Sequence, residues 1–222
     1  MRKITPEKRL AIRNDYIKRI MNVLRIKGFS NLTIQDLASY MNISRASLYN
    51  YFSSKEEIII EVTDYYLSYI READDIIANE QLSYQYRLQK VFEQAVLSAI
   101  YASDIYLHDL KAGCPALYRK MQDSQIERRA TTQLFYQKGM KAGIFNTLNP
   151  ALIIMQDEAT LKKLVDTRFL YEINLTMKQA LYDYYEAKKH ELLKPASLTS
   201  EDDNHIHEII DHVLYKLGDS IH

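Results

Sequence analysis

The segment of residues 33–57, TIQDLASYMNISRASLYNYFSSKEE, constrains the fold of this chain more than any other. Thr33 and Asp36 have the spacing of a capping box, in which each side chain satisfies a free N–H group at a helix start. Asn42 stands where the chain must turn, and Asn tolerates positive φ. Ser44 is placed to cap the next helix. The pattern therefore predicts two short helices joined by a tight turn.

Helical signals continue on both sides of this segment. Pro6 is a favourable first residue for a first helix, and Gly28 a favourable end. Ser54 and Glu57 have the spacing of a second capping box, which opens a helix expected to reach about residue 79. Apolar residues at helical spacing predict further helices at about 83–103, 104–112, 115–142, 149–164, 167–193 and 201–217, with a linker at 194–200. No strand pattern stands out, so the chain is predicted to be all-α.

The net charge of zero conceals an uneven distribution of charge. Residues 1–55 hold 11 Lys and Arg against 3 Asp and Glu, whereas the remainder holds 18 against 26. Such asymmetry is typical of a polyanion-binding domain on an acidic body, and a solvated basic face without a partner is the alternative. Cys114 is the only cysteine, which fits a reducing cytoplasm. Neither a secretory signal nor a run long enough to span a bilayer is recognisable.

Residues 44–52 have the features of a helix that enters the major groove of DNA, which is roughly 12 Å wide and admits one helix. Leu48 and Phe52 are expected to face inward, with Ala46 allowing close approach. The side chains left to contact DNA are Arg45, Ser47, Tyr49, Asn50 and Tyr51. An ordinary helical surface is the alternative, because many helix pairs mimic this motif.

The chemistry of these side chains suggests individual contacts. Arg45 suits guanine or a phosphate, and Asn50 suits adenine. Tyr51 suits a phosphate or a thymine methyl group. Lys55 is expected in the first turn of the next helix, where its charge and the free backbone N–H groups favour a phosphate.

This combination resembles the tetracycline-repressor (TetR) family of bacterial regulators over about residues 8–65. The matching residues are Gly28-Phe29, Thr33-Ile34, Leu37-Ala38, Ile43-Ser44, Leu48-Tyr49, Tyr51-Phe52 and Lys55-Glu56-Glu57. The resemblance implies an N-terminal helix-turn-helix three-helix DNA-binding domain, residues 1–54. It also implies a C-terminal helical bundle, residues 55–222, for ligand binding and dimerisation. Asn42 and Ala46-Ser47 depart from the usual Gly and Gly-Thr of the family.

Residue roles follow from the same resemblance. Thr33, Tyr49 and Lys55 are expected to contact phosphates, and the segment that begins at Ser44 and ends at Tyr51 is expected to include the base readers. The expected partners are a double-stranded DNA operator, a second copy of the chain and an unidentified small-molecule effector. A repressor is the leading interpretation, in which the ligand alters the separation of the two DNA-binding domains through the helix at 54–79.

Two other interpretations stay open. One is a DNA-binding protein of the same build that senses nothing or acts as an activator. The other is a helical enzyme or small-molecule carrier in which the helix-turn-helix is incidental. No Gly-rich phosphate loop, nucleophile elbow or His-Glu-x-x-His motif occurs, so neither catalysis nor a cofactor is predicted.

The effector pocket is expected among residues 83–177, whose aromatic and Met side chains suit an apolar wall with few polar anchors. The candidates are Tyr101, Tyr106, His108, Tyr118, Phe135, Tyr136, Met155 and Tyr171. Ordinary core packing is the alternative, because Tyr and Met at helical spacing are usually buried between helices.

The last two predicted helices suit a dimer interface. The apolar faces of 167–193 and 201–217 would form a four-helix bundle with a second copy, and burial inside one subunit is the alternative. Such a dimer would present recognition helices to major grooves about 34–36 Å apart. His205, Glu208 and His212 share one helix face and have zinc-ligand chemistry, but an exposed polar face is favoured and no metal is predicted.

Overall fold

The computed structural model describes residues 5–198 and 205–218, and all regular elements in these ranges are helices. The predicted all-α class is confirmed. The α-helices are α1 Pro6–Lys27, α2 Ile34–Tyr40, α3 Arg45–Tyr49, α4 Lys55–Arg71, α5 Asp74–Ala78, α6 Tyr84–Tyr101, α7 Asp104–Gly113, α8 Pro115–Lys141, α9 Pro150–Leu164, α10 Thr167–Glu172, α11 Met177–Leu192 and α12 His205–Gly218. A 3-10 turn, Pro195–Ser197, lies in the predicted linker.

Helix α1 begins and ends where its capping residues predict. The Thr5 hydroxyl accepts a hydrogen bond from the Lys8 N–H group at 3.4 Å, and Pro6 is the first helical residue. At the other end, the Gly28 N–H group bonds to the Leu24 carbonyl at 2.9 Å. Gly28 has φ +69°, a left-handed conformation that glycine adopts without the steric cost of a Cβ.

The chain packs as two compact units. The first contains the residues up to Ser68, Ala102–Met121 and the end of the last helix from Lys216. The second contains Tyr69–Tyr101 and Gln122–Tyr215. Helices α4, α8 and α12 contribute residues to both. The predicted domain boundary between residues 54 and 55 stays a prediction.

The core of the first unit joins the N-terminal helices to α7. Its largest fully buried side chains include Tyr66 and Tyr106, whose rings lie edge to face with centroids 5.0 Å apart. The hydroxyls of Tyr106 and Thr63 are 2.8 Å apart, so the buried tyrosine has a polar partner. Burial raises the pKa of Tyr106, which keeps the phenol neutral.

The core of the second unit is an aromatic and aliphatic cluster. Its buried members are Ala73, Ile77, Leu88, Val91, Phe135, Tyr136, Phe145, Ile153, Ile154, Leu192 and Leu193. Gly139 on α8 permits this packing, because a Cβ at that position would collide with the ring of Phe145.

The helix predicted at 54–79 is wrong beyond residue 71. Helix α4 ends at Arg71, and the separate helix α5 begins at Asp74. The interruption brings both Ala73 and Ile77 into the buried cluster, while Asp74 and Asp75 occupy the first turn of α5. Carboxylates are favourable at that end of a helix.

The helix predicted at 167–193 is also two helices. Asn174 has φ +55°, and the Thr176 hydroxyl accepts from the Gln179 N–H group at 3.2 Å to start α11. The predicted helix start at Ser200 lies outside the described residues. None of the described helices is long and apolar enough to cross a membrane.

Candidate nucleic-acid interface

The turn between α2 and α3 has the predicted geometry. Thr33 and Asp36 form the complete capping box, with the Thr33 N–H group 2.8 Å from an Asp36 carboxylate oxygen. Asn42 has φ +59°, the left-handed conformation that the sharp turn requires. The Ser44 hydroxyl then accepts from the Ser47 N–H group at 3.1 Å and caps α3.

The inward face of α3 is as predicted at two positions and wrong at a third. Leu48 is fully buried and Phe52 is nearly so. Ala46 is exposed, so it does not allow close helix approach as expected. Helix α3 is short and ends at Tyr49. The N–H groups of Tyr51 and Phe52 bond to the Leu48 carbonyl and extend the helical turn beyond it.

Two arginines of α1 hold the C-terminal end of α3. Arg9 donates to the Asn50 carbonyl and Arg13 to the Tyr51 carbonyl, both at 2.5 Å. These carbonyls have no partner within the helix, and cations are favourable at a helix C-terminus. The sequence showed only an excess of Lys and Arg over residues 1–55 and did not assign this role to Arg9 and Arg13. Through these two bonds, Arg9 and Arg13 orient α3 against α1.

Arg13 also connects α3 to α4 through carboxylates. It pairs with Glu57 at 2.7 Å and with Glu61. Glu57 further accepts from the N–H and hydroxyl groups of Ser53 at 2.6 and 2.7 Å. Arg13 and Ser53 together lower the pKa of Glu57 to about 2. The predicted capping box is thus half correct: Ser54 accepts from the Glu57 N–H group, but the Glu57 carboxylate bonds to Ser53.

The side chains predicted to contact DNA include an exposed group on α3. Ser44, Arg45, Tyr49 and Asn50 are exposed, and Ser47 is half-buried. The Arg45 guanidinium lies 5.6 Å from the centre of the Tyr49 ring, so the two side chains stand together. No carboxylate pairs with Arg45 among the described residues.

The other predicted contacts have roles inside the fold. Lys55 donates to the Leu32 carbonyl at 2.6 Å, which ties the start of α4 to the start of α2. The Thr33 hydroxyl bonds to Asp36 at 2.6 Å. Tyr51 is half-buried with its ring edge to face against Tyr16, centroids 5.2 Å apart.

The eight residues predicted to line an effector pocket are spread over both units. Tyr106, His108 and Tyr118 belong to the first unit, and the other five belong to the second. Tyr101, Tyr106, Phe135 and Tyr136 are buried in the cores, whereas His108, Met155 and Tyr171 are exposed. Phe135 and Tyr136 are in ring contact with each other, with centroids 5.7 Å apart.

A cavity of about 420 Å³ lies instead among the end of α4, α5, α6 and α8 in the second unit. Most of its lining side chains are polar and none is aromatic, so a prediction from aromatic and Met residues does not include them. The lining residues are Ile70, Arg71, Asp74, Asp75, Ala78, Gln94, Ser124, Glu127, Arg128 and Thr131. Arg71 pairs with Glu127 at 2.9 Å, and Gln94 donates to Asp74. Burial raises the pKa of Asp74.

The His205, Glu208 and His212 face does not form a metal centre. No group of three or more His, Cys, Asp or Glu side chains with the arrangement of metal ligands occurs within residues 5–198 and 205–218. His212 instead lies 2.9 Å from the nearly buried carboxylate of Glu93. His205 packs edge to face against Tyr86.

Comparison with known proteins agrees with this geometry. Residues 17–62 match the sequence model of the bacterial regulatory proteins of the tetR family. No curated protein matches the chain significantly.

Solved structures share the fold over most of the chain. The ketosteroid transcriptional regulator KstR2 of Mycobacterium tuberculosis is 19% identical, with a TM-score of 0.61 over 82% of this chain and 95% of that one. A TetR transcriptional regulator from Chloroflexus aurantiacus J-10-FL is 15% identical, with a TM-score of 0.61 over 84% and 98%. AibR in complex with isovaleryl coenzyme A and operator DNA is 12% identical, with a TM-score of 0.58 over 79% and 97%.

The helix-turn-helix and the helical body together have the fold of these solved structures. Residues 17–62 match the tetR family of bacterial regulatory proteins, as the resemblance of the N-terminal residues predicted.

Proposed function

We propose that this chain is a DNA-binding transcriptional regulator whose helix α3 reads the major groove. The observation that carries the proposal is the pair of exposed side chains, Arg45 and Tyr49, that lie together on α3. Arg9 and Arg13 of α1 donate hydrogen bonds to the carbonyls at the C-terminal end of this helix. An arginine with no carboxylate partner suits a guanine edge, and a tyrosine hydroxyl suits a phosphate.

Selection of bound sequences from a random duplex pool tests this proposal. We expect an enriched palindrome, bound with an affinity that falls steeply with salt because counterions are released from the duplex. The double variant Arg45→Ala and Tyr49→Phe should lose the enriched sequence. Lys163→Gln, which removes an exposed cation on α9, is the matched control. Salt-independent binding, or no enrichment, would favour the carrier or enzyme interpretation.

The protein is proposed to act as a homodimer through its second unit. Exposed large apolar side chains gather on α9 and on the α10–α11 segment, and Tyr171 is 84% exposed. The others are Leu152, Met155, Ile173 and Leu175. Apolar surface of this kind marks interaction sites, and a palindromic operator requires a second copy. The apolar face of α12 is less suitable, because Ile206, Ile209, Ile210 and Val213 are buried within the chain.

The mass in solution distinguishes a dimer from a monomer. We expect the mass of two chains by light scattering, and the mass of one chain for the variant that combines Tyr171→Asp with Ile173→Asp. Leu134→Asp changes another exposed apolar side chain, on α8, and should remain a dimer. A monomeric wild-type protein at micromolar concentration would contradict the proposal.

The effector is proposed to enter the cavity lined by Asp74 and Gln94. Ile70 and Arg71 of this lining end the helix α4, which begins with Lys55 beside the DNA-reading segment. A ligand that disturbs the Arg71–Glu127 pair would act on the end of α4. It could shift the protein between DNA-binding states only through different affinities for them. In the solved structures, AibR is described with both isovaleryl coenzyme A and operator DNA.

Thermal-shift screening of small molecules, followed by operator release, tests this site. An effector should lower operator affinity, and Gln94→Ala should weaken that response without changing operator affinity in its absence. Gln133→Ala, an exposed change on α8, is the control. If no compound lowers operator affinity, the protein is a plain DNA binder.

A further inference from the structure

Arg87 on α6 is a buried cation. Its side chain is 3% exposed, and its Nε donates to the Ile77 carbonyl at 2.8 Å. The guanidinium lies over the rings of Tyr84 and Phe135, with its central carbon 5.2 and 5.0 Å from their centres. In the described part of the chain, no carboxylate forms an ion pair with it. The charge of Glu80 interacts with Arg87, but the two side chains form no salt bridge. Because a buried charge without a directly bonded anion is costly, an anionic group at this site would be stabilising.

A second cavity of about 420 Å³ opens beside this guanidinium, entirely within the second unit. Its lining residues are Glu80, Tyr84, Arg87, Lys138, Lys141 and Ala142. Lys138 pairs with Glu80 at 2.5 Å, and this pairing lowers the pKa of the Glu80 carboxyl. Lys141 is exposed and has no carboxylate partner among the described residues. Three cations therefore face one carboxylate, which leaves a net charge of two positive units.

We propose that this cavity binds the phosphate group of a small phosphorylated molecule. The planar fork of Arg87 matches two phosphate oxygens, and Lys138 and Lys141 add point charges at the rim. A phosphate monoester carries roughly −1.5 to −2 at neutral pH, which matches the surplus of the lining better than a single carboxylate does. The volume left beyond the phosphate accommodates an organic portion against Tyr84. The site does not depend on the proposed DNA binding.

Calorimetric titration of the full chain with inorganic phosphate and with pyrophosphate, at constant ionic strength set by chloride, tests the site. We expect saturable binding of one equivalent per chain. The double variant Lys138→Gln and Lys141→Gln changes only exposed side chains and should weaken binding about tenfold or more. Lys111→Gln, an exposed cation of α7 in the other unit, should leave the affinity unchanged.

Arg87→Gln provides the second variant, because it should abolish binding of both anions. Its circular dichroism is compared with that of the wild type, and if it does not fold, the double lysine variant carries the test alone. No saturable heat with either anion, or equal binding by the wild type and the double lysine variant, would overturn the proposal. A fall in the affinity of the double lysine variant for duplex DNA would also overturn it, since the cations would then serve DNA phosphates.

Discussion

Asp109 on α7 accepts a hydrogen bond from the backbone N–H group of Phe29 at 2.5 Å. The same carboxylate oxygen accepts from the Ser30 N–H group at 2.8 Å. The bonds cross from the middle of the chain to the loop that links α1 and α2, so α7 is tied to the helix-turn-helix within the first unit. Burial alone would raise the pKa of Asp109, but the bonds from Ser30 and Phe29 lower it below its ordinary value.

Removal of this carboxylate should destabilise the protein. Asp109→Ala leaves the buried N–H group of Phe29 and the part-buried N–H group of Ser30 without this acceptor. We expect a loss of about 1–3 kcal/mol in the free energy of unfolding. Asp109→Asn keeps one acceptor oxygen and should lose less. Urea unfolding followed by circular dichroism measures both. Equal stability of the alanine variant and the wild type would show that water replaces the carboxylate.

Gly28 and Asp109 should be coupled. A Cβ at Gly28 would collide with the Asp109 carboxylate oxygen, and the residue also has a left-handed φ of +69°. In the wild-type background, Gly28→Ala should lower the free energy of unfolding through the collision and through a backbone term of about 1–2 kcal/mol. In the Asp109→Ala background the collision with the carboxylate is removed, and the backbone term and a close contact with Ile105 remain. A double-mutant cycle of unfolding free energies measures the difference, and strict additivity would contradict this account.

The acid stability of the protein should depend on Glu57. Its pKa in the folded state is about 2, below its ordinary value of 4.5, because of Arg13 and Ser53. Because folding lowers this pKa, the contribution of the ionised Glu57 carboxylate to the free energy of unfolding is complete above about pH 4.5. It is lost as the pH falls through about 2. In Glu57→Gln the free energy of unfolding should therefore fall by about 1 kcal/mol less on acidification than in the wild type. This value is reduced for solvent screening.

Unfolding measured from pH 2 to pH 7 tests the dependence on Glu57. Glu56→Gln, its exposed neighbour in the same helical turn, is the matched control and should keep the slope of the wild type. A slope of Glu57→Gln identical to that of the wild type would place the acid-sensitive group elsewhere.

The elements that the sequence predicted well depend on local signals. Thr5, Thr33 and Ser44 cap their helices through bonds of three residues' separation, so neighbouring residues suffice to locate them. The break after Arg71 has no Gly or Pro, and the amphipathic pattern conceals it. At Asn174 a signal was present, since Asn tolerates a left-handed φ and Thr176 follows as a cap.

The site was predictable only in part, because its contacts join distant residues. Arg9 reaches the Asn50 carbonyl across 41 positions, and nothing local distinguishes it from other basic residues of α1. The effector pocket was predicted from residue type, yet Tyr101 is buried and Tyr171 is exposed. Both have the same chemistry, so their burial depends on which helices pack against them.

Arg45 and Tyr49 should affect DNA binding in different ways. Tyr49→Phe removes a hydroxyl that we expect to contact a phosphate, so it should weaken binding to all duplexes by a similar factor. Arg45→Ala should remove a contact with a base edge, at a cost of about 1–3 kcal/mol, and relax the preference at one operator position. Affinities for a set of single-base operator variants, measured at several salt concentrations, separate the two effects. If Arg45→Ala instead lowers the affinity for every variant equally and reduces the salt slope by about 0.9, Arg45 binds a phosphate.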